Sequence, residues 1–238
     1  MLFDPVYWIV IGIGMALSLA ASALVKGRFA KYSQIGTRSR MTGADIARAI
    51  LRDNGIHDVT VERVPGNLTD HYDPRGKMLR LSEPVYASNS MAAFGIAAHE
   101  VGHAIQHAQG YALLGFRSAW VPVANVGGGI SMFVLFAAAF MGGAQTVMGE
   151  RLAWVGIALF ATTTLFTLVT LPVEFDASRR ALAALRGRYV TDDEYVGARK
   201  VLTAAALTYV AAFITSLLTL LYWAYRLGLL GGGRRRDD

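Results

Sequence analysis

Residues 118–149, SAWVPVANVGGGISMFVLFAAAFMGGAQTVMG, contain no charged side chain. Three other stretches share this property, residues 5–25, 152–173 and 201–225. A helix needs about 20 mainly apolar residues to cross the roughly 30 Å hydrocarbon core of a bilayer. Each of the four stretches is long enough, so the sequence predicts an integral membrane protein with four transmembrane helices.

The composition agrees with this prediction, because 54% of the residues are hydrophobic and only 17% are charged. The first apolar stretch is interpreted as a retained anchor rather than a cleaved signal peptide. No basic residue precedes it, and it is longer than the roughly 7–15 apolar residues of a signal core. Lys26, Arg28 and Lys31 follow it directly, as expected after a stop-transfer segment.

The positive charge is unevenly distributed between the two predicted sides of the membrane. Four crossings place residues 26–117 and 174–200 on one side, and five of the 23 Lys and Arg residues lie elsewhere, which leaves 18 on this side. The positive-inside bias makes this side cytoplasmic, although the tail at 231–238, GGGRRRDD, runs against it. We therefore attribute the net charge of +6 to topology and predict no nucleic-acid partner.

Residues 26–117 form the largest segment between apolar stretches, and their pattern predicts a small α+β module. An amphipathic helix is expected at 41–55, capped by Thr42, followed by a strand at 58–64. The turn sequence DPRG at 73–76 then predicts a hairpin, and a second helix of about 20 residues is expected from the Ser88–Ser90 caps to Gly110. We expect five segments: a first transmembrane helix (1–25), the module (26–117), two transmembrane helices (118–173), a cytoplasmic helix (174–200), and a fourth transmembrane helix with the tail (201–238).

The second helix contains the stretch AAHEVGHAIQH, residues 97–107, with three of the five histidines of the chain. His99 and His103 are four residues apart, so a helix points both imidazoles to one side. Glu100 lies beside them, which gives the H-E-x-x-H arrangement of two zinc ligands and a general base. Chance would produce about 0.003 such matches in this chain. Since the chain has no cysteine, any zinc must be held by His and carboxylate ligands.

The third zinc ligand is open to two interpretations. His107 is about 12 Å further along the helix than His99, too far to share one ion easily. Glu174, in the stretch LPVEFDASRRAL at 171–182, returns to the same side of the membrane after two crossings, and Pro172 favours a helix start there. We predict Glu174 as the ligand; the alternative is a carboxylate that only caps a helix N-terminus.

The chain resembles the YugP-type neutral zinc metallopeptidases, a family of bacterial membrane proteins. Three stretches carry the resemblance, LTDHYDP with LRLSEPVY, AAHEVGHAIQHA and LPVEFDASRRAL, in that order. It is more distantly similar to HtpX-type membrane proteases, whose third ligand is the Glu of an E-x-x-x-D motif. These resemblances imply Zn²⁺ on His99, His103 and Glu174, with Glu100 as base, in a bacterial inner-membrane protein. The chain departs from the motif at Ser178, which occupies the Asp position.

The predicted hairpin offers an edge strand, which in zincins pairs with an extended substrate. His71, Tyr72, Arg179 and Arg180 are candidates for stabilising the oxyanion of the tetrahedral intermediate or contacting substrate, although a solvated surface role is the competing interpretation for each.

The sequence therefore predicts a membrane-embedded zinc endopeptidase with a zincin-like cytoplasmic module that cleaves membrane or membrane-proximal polypeptides. Two alternatives come from other classes of protein. One is a non-catalytic membrane scaffold or adaptor with a structural zinc, which would be closed by four ligands and would not need Glu100. The other is a transporter, which the lack of ionisable residues in the apolar stretches disfavours. The sequence does not indicate an oligomeric state.

Overall fold

A computed structural model describes residues 4–230 of the chain, so the tail at 231–238 lies outside the described residues. The described chain contains seven α-helices and three strands, together with a single 3-10 turn at Gly143–Gln145. In chain order these are α1 (Pro5–Ser33), α2 (Gly43–Asp53), β1 (Thr60–Val64), β2 (His71–Asp73), β3 (Met78–Ser82), α3 (Glu83–Tyr86), α4 (Met91–Ala108), α5 (Ala112–Phe140), α6 (Val147–Leu185) and α7 (Asp192–Arg226).

Four of these helices, α1, α5, α6 and α7, are long and apolar enough to cross a membrane. The α1, α6 and α7 helices each contain one whole charge-free stretch, whereas α5 ends at Phe140 and leaves the last residues of the 118–149 stretch to the following turn and the start of α6. Large apolar side chains on them are exposed, among them Phe133 with 77% of its surface. Such a surface is unfavourable in water but favourable in contact with the hydrocarbon chains of lipids. The prediction of an α+β membrane protein with four apolar helices is confirmed at this level.

The structure differs from the sequence prediction at Pro172, where a new helix was expected to begin. The α6 helix instead runs through this residue without interruption. Proline removes one backbone hydrogen bond from a helix, but helices in membrane proteins tolerate it because neighbouring groups satisfy the freed carbonyl. Glu174 therefore lies inside the same helix as the third apolar stretch, and not at a helix N-terminus.

The chain folds into two compact units, and the four long helices contribute to both. Of the described residues, the first unit comprises 4–18, 117–170 and 210–230. Within it, Trp223 and Leu135 are fully buried, and Gly127 packs directly against Thr162. A side chain at Gly127 would overlap the Thr162 hydroxyl, so the glycine permits a close contact between α5 and α6 here.

The second unit comprises residues 19–116 and 171–209 and contains the sheet. The strand order is β1-β3-β2, with β2 antiparallel and β1 parallel to β3. The predicted hairpin is thus the β2–β3 pair, in which His71 lies opposite Arg80. The predicted cap is also confirmed, since the Thr42 hydroxyl accepts a hydrogen bond from the Asp45 amide and the Asp45 carboxylate accepts one from the Thr42 amide.

The core of the second unit is built around α4. Fully buried side chains from α2, β3 and α4 meet there, including Ile46, Leu79, Leu81 and Phe94. Small residues on the opposite side of α4 bring two long helices close to it. A Cβ atom at Gly102 would lie 2.4 Å from the Ala177 carbonyl oxygen of α6, and one at Gly95 would lie 3.4 Å from Ala198 of α7.

Candidate metal centre

His99 and His103 are presented by adjacent turns of α4. The Ser90 side chain caps the start of this helix by accepting a hydrogen bond from the Ala93 amide. The ring centroids of His99 and His103 are 4.8 Å apart, and the two rings are nearly perpendicular. Both side chains are largely buried, with 13% and 10% of their surface exposed. The helix therefore holds the two imidazoles side by side, as the four-residue spacing predicted.

Glu174 of α6 lies opposite the two histidines. Its Oε2 atom is 3.2 Å from Nε2 of His99 and 3.5 Å from Nε2 of His103. One ligand atom from each of the three residues lies within 4.8 Å of the other two. The close approach at Gly102 explains this geometry, because the hydrogen of glycine lets the backbone of α6 pass directly against α4.

The other ring nitrogen of each histidine is held by a separate side chain. Nδ1 of His99 is 3.1 Å from the Ser178 hydroxyl, and Nδ1 of His103 is 3.0 Å from Oε1 of Gln106. Because an amide oxygen only accepts, Nδ1 of His103 carries a proton, and in the neutral ring Nε2 then has the free lone pair. These contacts fix the ring orientations and leave both Nε2 atoms facing Glu174.

Gln106 is fully buried and connects His103 to α6. Its amide donates to the Val173 carbonyl at 2.8 Å and to Oδ2 of Asp176 at 2.9 Å. Asp176 also accepts hydrogen bonds from the guanidinium groups of Arg179 and Arg180. A continuous polar network thus runs from the His103 ring to two arginines, with no hydrogen-bonding group of Gln106 left unused.

Glu100 lies between the two histidines in sequence and is 8% exposed. Burial raises the pKa of its carboxyl above the ordinary value, and the two neighbouring histidines oppose this effect. A raised pKa brings a carboxylate closer to the range in which it accepts and returns protons at neutral pH. The site therefore combines a three-residue ligand set with an adjacent carboxylate suited to proton transfer.

The remaining candidates from the sequence lie in different surroundings. On β2, the exposed His71 ring bonds the Thr69 carbonyl through Nδ1, and the Tyr72 hydroxyl is 2.8 Å from Nδ1 of His107. Burial, together with the charges of Asp58 and Asp73, raises the pKa of Tyr72 to about 12, so its hydroxyl stays protonated.

The two arginine candidates follow Glu174 on α6. Arg179 is mostly exposed and bonds Asp176, while Arg180 bonds both Asp176 and Gln109. Among the described residues, the cluster that could hold a metal consists of His99, His103 and Glu174. The structure therefore brings together the predicted ligands but not these further candidates.

Comparison with known proteins identifies the family to which the chain belongs. A family model described as "Putative neutral zinc metallopeptidase" matches residues 7–228. The chain belongs to this family. The protein named "Putative membrane protease YugP" from Bacillus subtilis (strain 168) is 46% identical over 208 residues, which cover 87% of this chain and 90% of the relative. No solved structure matches the chain.

The residues present fit the zinc that the neutral zinc metallopeptidase family implies. Zinc takes nitrogen and oxygen ligands at about 2.0–2.2 Å, so two ligands of a tetrahedral ion lie about 3.4 Å apart. The distances of 3.2 and 3.5 Å from Glu174 to the two histidine nitrogens agree with this spacing. Two imidazoles and one carboxylate are also the ligand set of a well-known class of catalytic zinc sites.

Two features of this metallopeptidase site were missed in the sequence. Gln106 was not singled out, although its position three residues after His103 places both on one face of α4. Asp176 was not assigned a role either, and it does not touch a histidine directly. Through Gln106 it nevertheless supplies a carboxylate to the His103 side of the site. Ser178, in the position where the motif has Asp, contacts His99.

Proposed function

We propose that this membrane protein is a zinc-dependent endopeptidase that hydrolyses peptide bonds of membrane or membrane-proximal polypeptides. The observation that carries the proposal is the convergence of His99, His103 and Glu174 beside the buried carboxylate of Glu100. A purely structural zinc is normally closed by four protein ligands. The described cluster offers three, which leaves a position for a reactant.

Zinc bound by His99, His103 and Glu174 would polarise the scissile carbonyl and make water more acidic. Glu100 takes a proton from the attacking water, whose oxygen forms a bond to the carbonyl carbon. The C–N bond then breaks, and Glu100 passes the proton to the leaving amine. One water is consumed, giving a new carboxyl group and a new amine, and Glu100 returns to its starting state. Ser178 and Gln106 keep the two histidines in place during these steps.

The β2 strand is the proposed binding edge for the substrate backbone. It lies at the edge of the sheet and packs against α4, the helix that carries the histidines. An extended peptide added to this edge would form main-chain hydrogen bonds without requiring a particular sequence. Tyr72, His71 and Arg179 remain proposals for the group that stabilises the oxyanion or contacts substrate. The protonated Tyr72 hydroxyl is suited to donate such a bond once it leaves His107.

We further propose that the site faces the cytoplasm of a bacterial cell, at its inner membrane. The supporting observation is the excess of Lys and Arg in segments 26–117 and 174–200, which together form most of the zincin-like module. A site at the ends of apolar helices is well placed for substrates that are themselves in or near the bilayer.

The decisive experiment replaces Glu100 by Gln. This substitution keeps the size of the side chain and touches no proposed ligand, so the purified variant should retain about one zinc per chain. Peptidase activity should fall by about 10²–10⁴-fold, the typical contribution of a general base. Glu62→Gln, at an exposed position on β1, is the matched control and should change neither quantity. Wild-type activity in Glu100→Gln would refute the proposed mechanism.

Glu174→Ala should give a different result, because it removes a ligand and a negative charge near the dication. Zinc affinity should fall first, and activity should be lost as a consequence. Excess zinc should then restore part of the activity of Glu174→Ala but none of that of Glu100→Gln. Tight zinc binding and normal cleavage by Glu174→Ala would show that the third ligand is another residue.

A further inference from the structure

A cavity of about 240 Å³ lies in the second unit, and its wall includes His99 and Glu100. The rest of its wall is mainly apolar and comes largely from α1, α4 and α7. The apolar side chains that these helices contribute are Val25, Phe29, Ile96, Val201, Leu202 and Ala205. The cavity thus extends from the proposed reacting centre into the space between helices that are long and apolar enough to cross a membrane.

The size of the cavity matches a large apolar side chain. An engineered cavity of about 150 Å³ lined by Leu, Ile and Phe is sufficient to bind benzene. A volume of 240 Å³ therefore accommodates the side chain of Leu, Met or Phe with little change in the wall. Because such a pocket releases ordered water when it is filled, it favours apolar groups in proportion to the area they bury.

The described residues of the wall include no Lys or Arg to pair with an acidic side chain, and the two carboxylates of the wall already have hydrogen-bond partners or a proposed role. An acidic side chain in the cavity would therefore be unpaired. Asp70 is present in the wall, but both of its carboxylate oxygens accept hydrogen bonds from Ser82, from the amide at 2.7 Å and the hydroxyl at 2.8 Å. The second carboxylate, Glu100, is committed to proton transfer in the proposed mechanism.

We propose that this cavity is the specificity subsite of the enzyme and that it accepts a large apolar side chain of the substrate beside the scissile bond. The inference rests on the proposed peptidase function and adds the substrate class to it. Ala205 lines the subsite from the α7 side, and Phe29 lines it from the α1 side. Segments rich in Leu, Met and Phe near a membrane surface are accordingly the favoured substrates.

The test uses internally quenched peptides in which single positions on each side of the cleaved bond are Gly, Ala, Leu, Phe or Lys. In the wild type, one position should show kcat/KM at least about 10-fold higher for Leu or Phe than for Gly, since a single methylene in a fitted pocket changes this ratio by about 10–200-fold. In Ala205→Phe the new ring should fill the cavity. The ratio of kcat/KM for the Leu peptide to kcat/KM for the Gly peptide should then fall towards one.

Two further variants control this experiment. Thr203→Phe adds the same ring at an exposed position of α7 and should keep the wild-type ratio of Leu to Gly. Phe29→Ala deepens the subsite and should shift the preference from Leu towards Phe. Zinc content, measured for all three variants, verifies that each has folded around an intact metal site.

Binding measurements keep this inference separate from the proposed catalysis. In the Glu100→Gln background, calorimetry should show tighter binding of the Leu peptide than of its Gly counterpart, and Ala205→Phe should remove the difference. Equal cleavage of all peptides, or a preference for Lys, would overturn the subsite but leave the peptidase function standing. Selective binding of the Leu peptide by a wild type that cleaves nothing would refute the peptidase function and keep the apolar site.

Discussion

The two histidines of the proposed zinc site are held in unequal ways. His103 is bonded to the buried side-chain amide of Gln106, and this amide is in turn bonded to Asp176 and to the Val173 carbonyl. His99 is held by the single hydroxyl of Ser178, a shorter and rotatable group. Because outer contacts of this kind fix the ring and increase the basicity of a ligand, His99 should be the less firmly oriented of the two.

Ser178→Ala tests this difference. Removal of the hydroxyl should lower zinc affinity by about 10–100-fold, as measured by competition with a chelator. Ser178→Asp restores the carboxylate that the E-x-x-x-D motif has in this position and should bind zinc at least as tightly as the wild type. Ser39→Ala, at an exposed loop position, is the control. Unchanged zinc affinity in Ser178→Ala would mean that the Ser178 contact does not support His99.

At this scale the sequence predicted the convergence of His99, His103 and Glu174 better than the contacts around them. The spacing of His99, Glu100 and His103 follows from helix periodicity alone, so three positions were sufficient to predict two converging imidazoles. The role of Gln106 depends on the rotamer of a long side chain and on Asp176, which is 70 residues away. Periodicity predicts which residues share a face of a helix, but not which of them meet a group on another helix.

At the scale of elements, the packing of α4 against α6 determines whether the metal site can form. The approach at Gly102 is closer than any side chain permits, and the atom it meets is a backbone carbonyl of Ala177, which cannot rotate away. The sequence indicated that something must approach Gly102, because glycine inside a helix costs roughly 1 kcal/mol relative to alanine. The structure identifies the approaching element as α6.

Gly102→Ala should therefore push α4 and α6 apart. The overlap should lower the free energy of unfolding by about 1–3 kcal/mol despite the gain in helix propensity, and zinc affinity should fall with it. Thermal unfolding in detergent and zinc content per chain measure the two effects. Gly27→Ala, where no atom lies within 4 Å of the added Cβ, should be neutral or stabilising. A stable, zinc-replete Gly102→Ala would show that the helices can separate without harm to the site.

Pro172 and the sheet show which structural features local sequence signals predict and which they do not. Pro172 suggested a helix start because proline disrupts helices in water, but a membrane helix tolerates it, and α6 continues to Leu185. The hairpin of β2 and β3 was predicted from its turn, which is a local signal. The parallel pairing of β1 with β3 has no such signal, because it is determined by long-range packing on α2 and α3.

For the whole molecule, the arrangement of the chain in the membrane is the main prediction. The chain has no cysteine, so single cysteines can be introduced without any background. Ser39→Cys and Asp193→Cys, in exposed positions before α2 and at the start of α7, should react with a membrane-impermeant maleimide only after the cells are permeabilised. Gln145→Cys, between α5 and α6, should react in intact cells.

Opposite labelling at Ser39 and Asp193 would contradict this arrangement. The four crossings would then be wrong, and Glu174 would lie on the other side of the membrane from His99. Labelling of both in intact cells would instead keep the crossings and reverse the orientation. A denatured sample provides the control, since all three cysteines must react there.

One turn of α6 contains the proposed ligand Glu174, the Asp176 partner of Gln106, the Ala177 carbonyl against Gly102 and the Ser178 partner of His99. Successive residues of a helix are rotated by about 100°, so one inserted or deleted residue within 174–178 would turn these groups to different sides. We expect relatives of this chain to vary in length more readily in the turns at 141–146 and 186–191 than inside residues 174–178. A gap inside residues 174–178 of a relative would indicate that it has lost the proposed zinc site. This turn is therefore a simple criterion for distinguishing active from inactive members of the family.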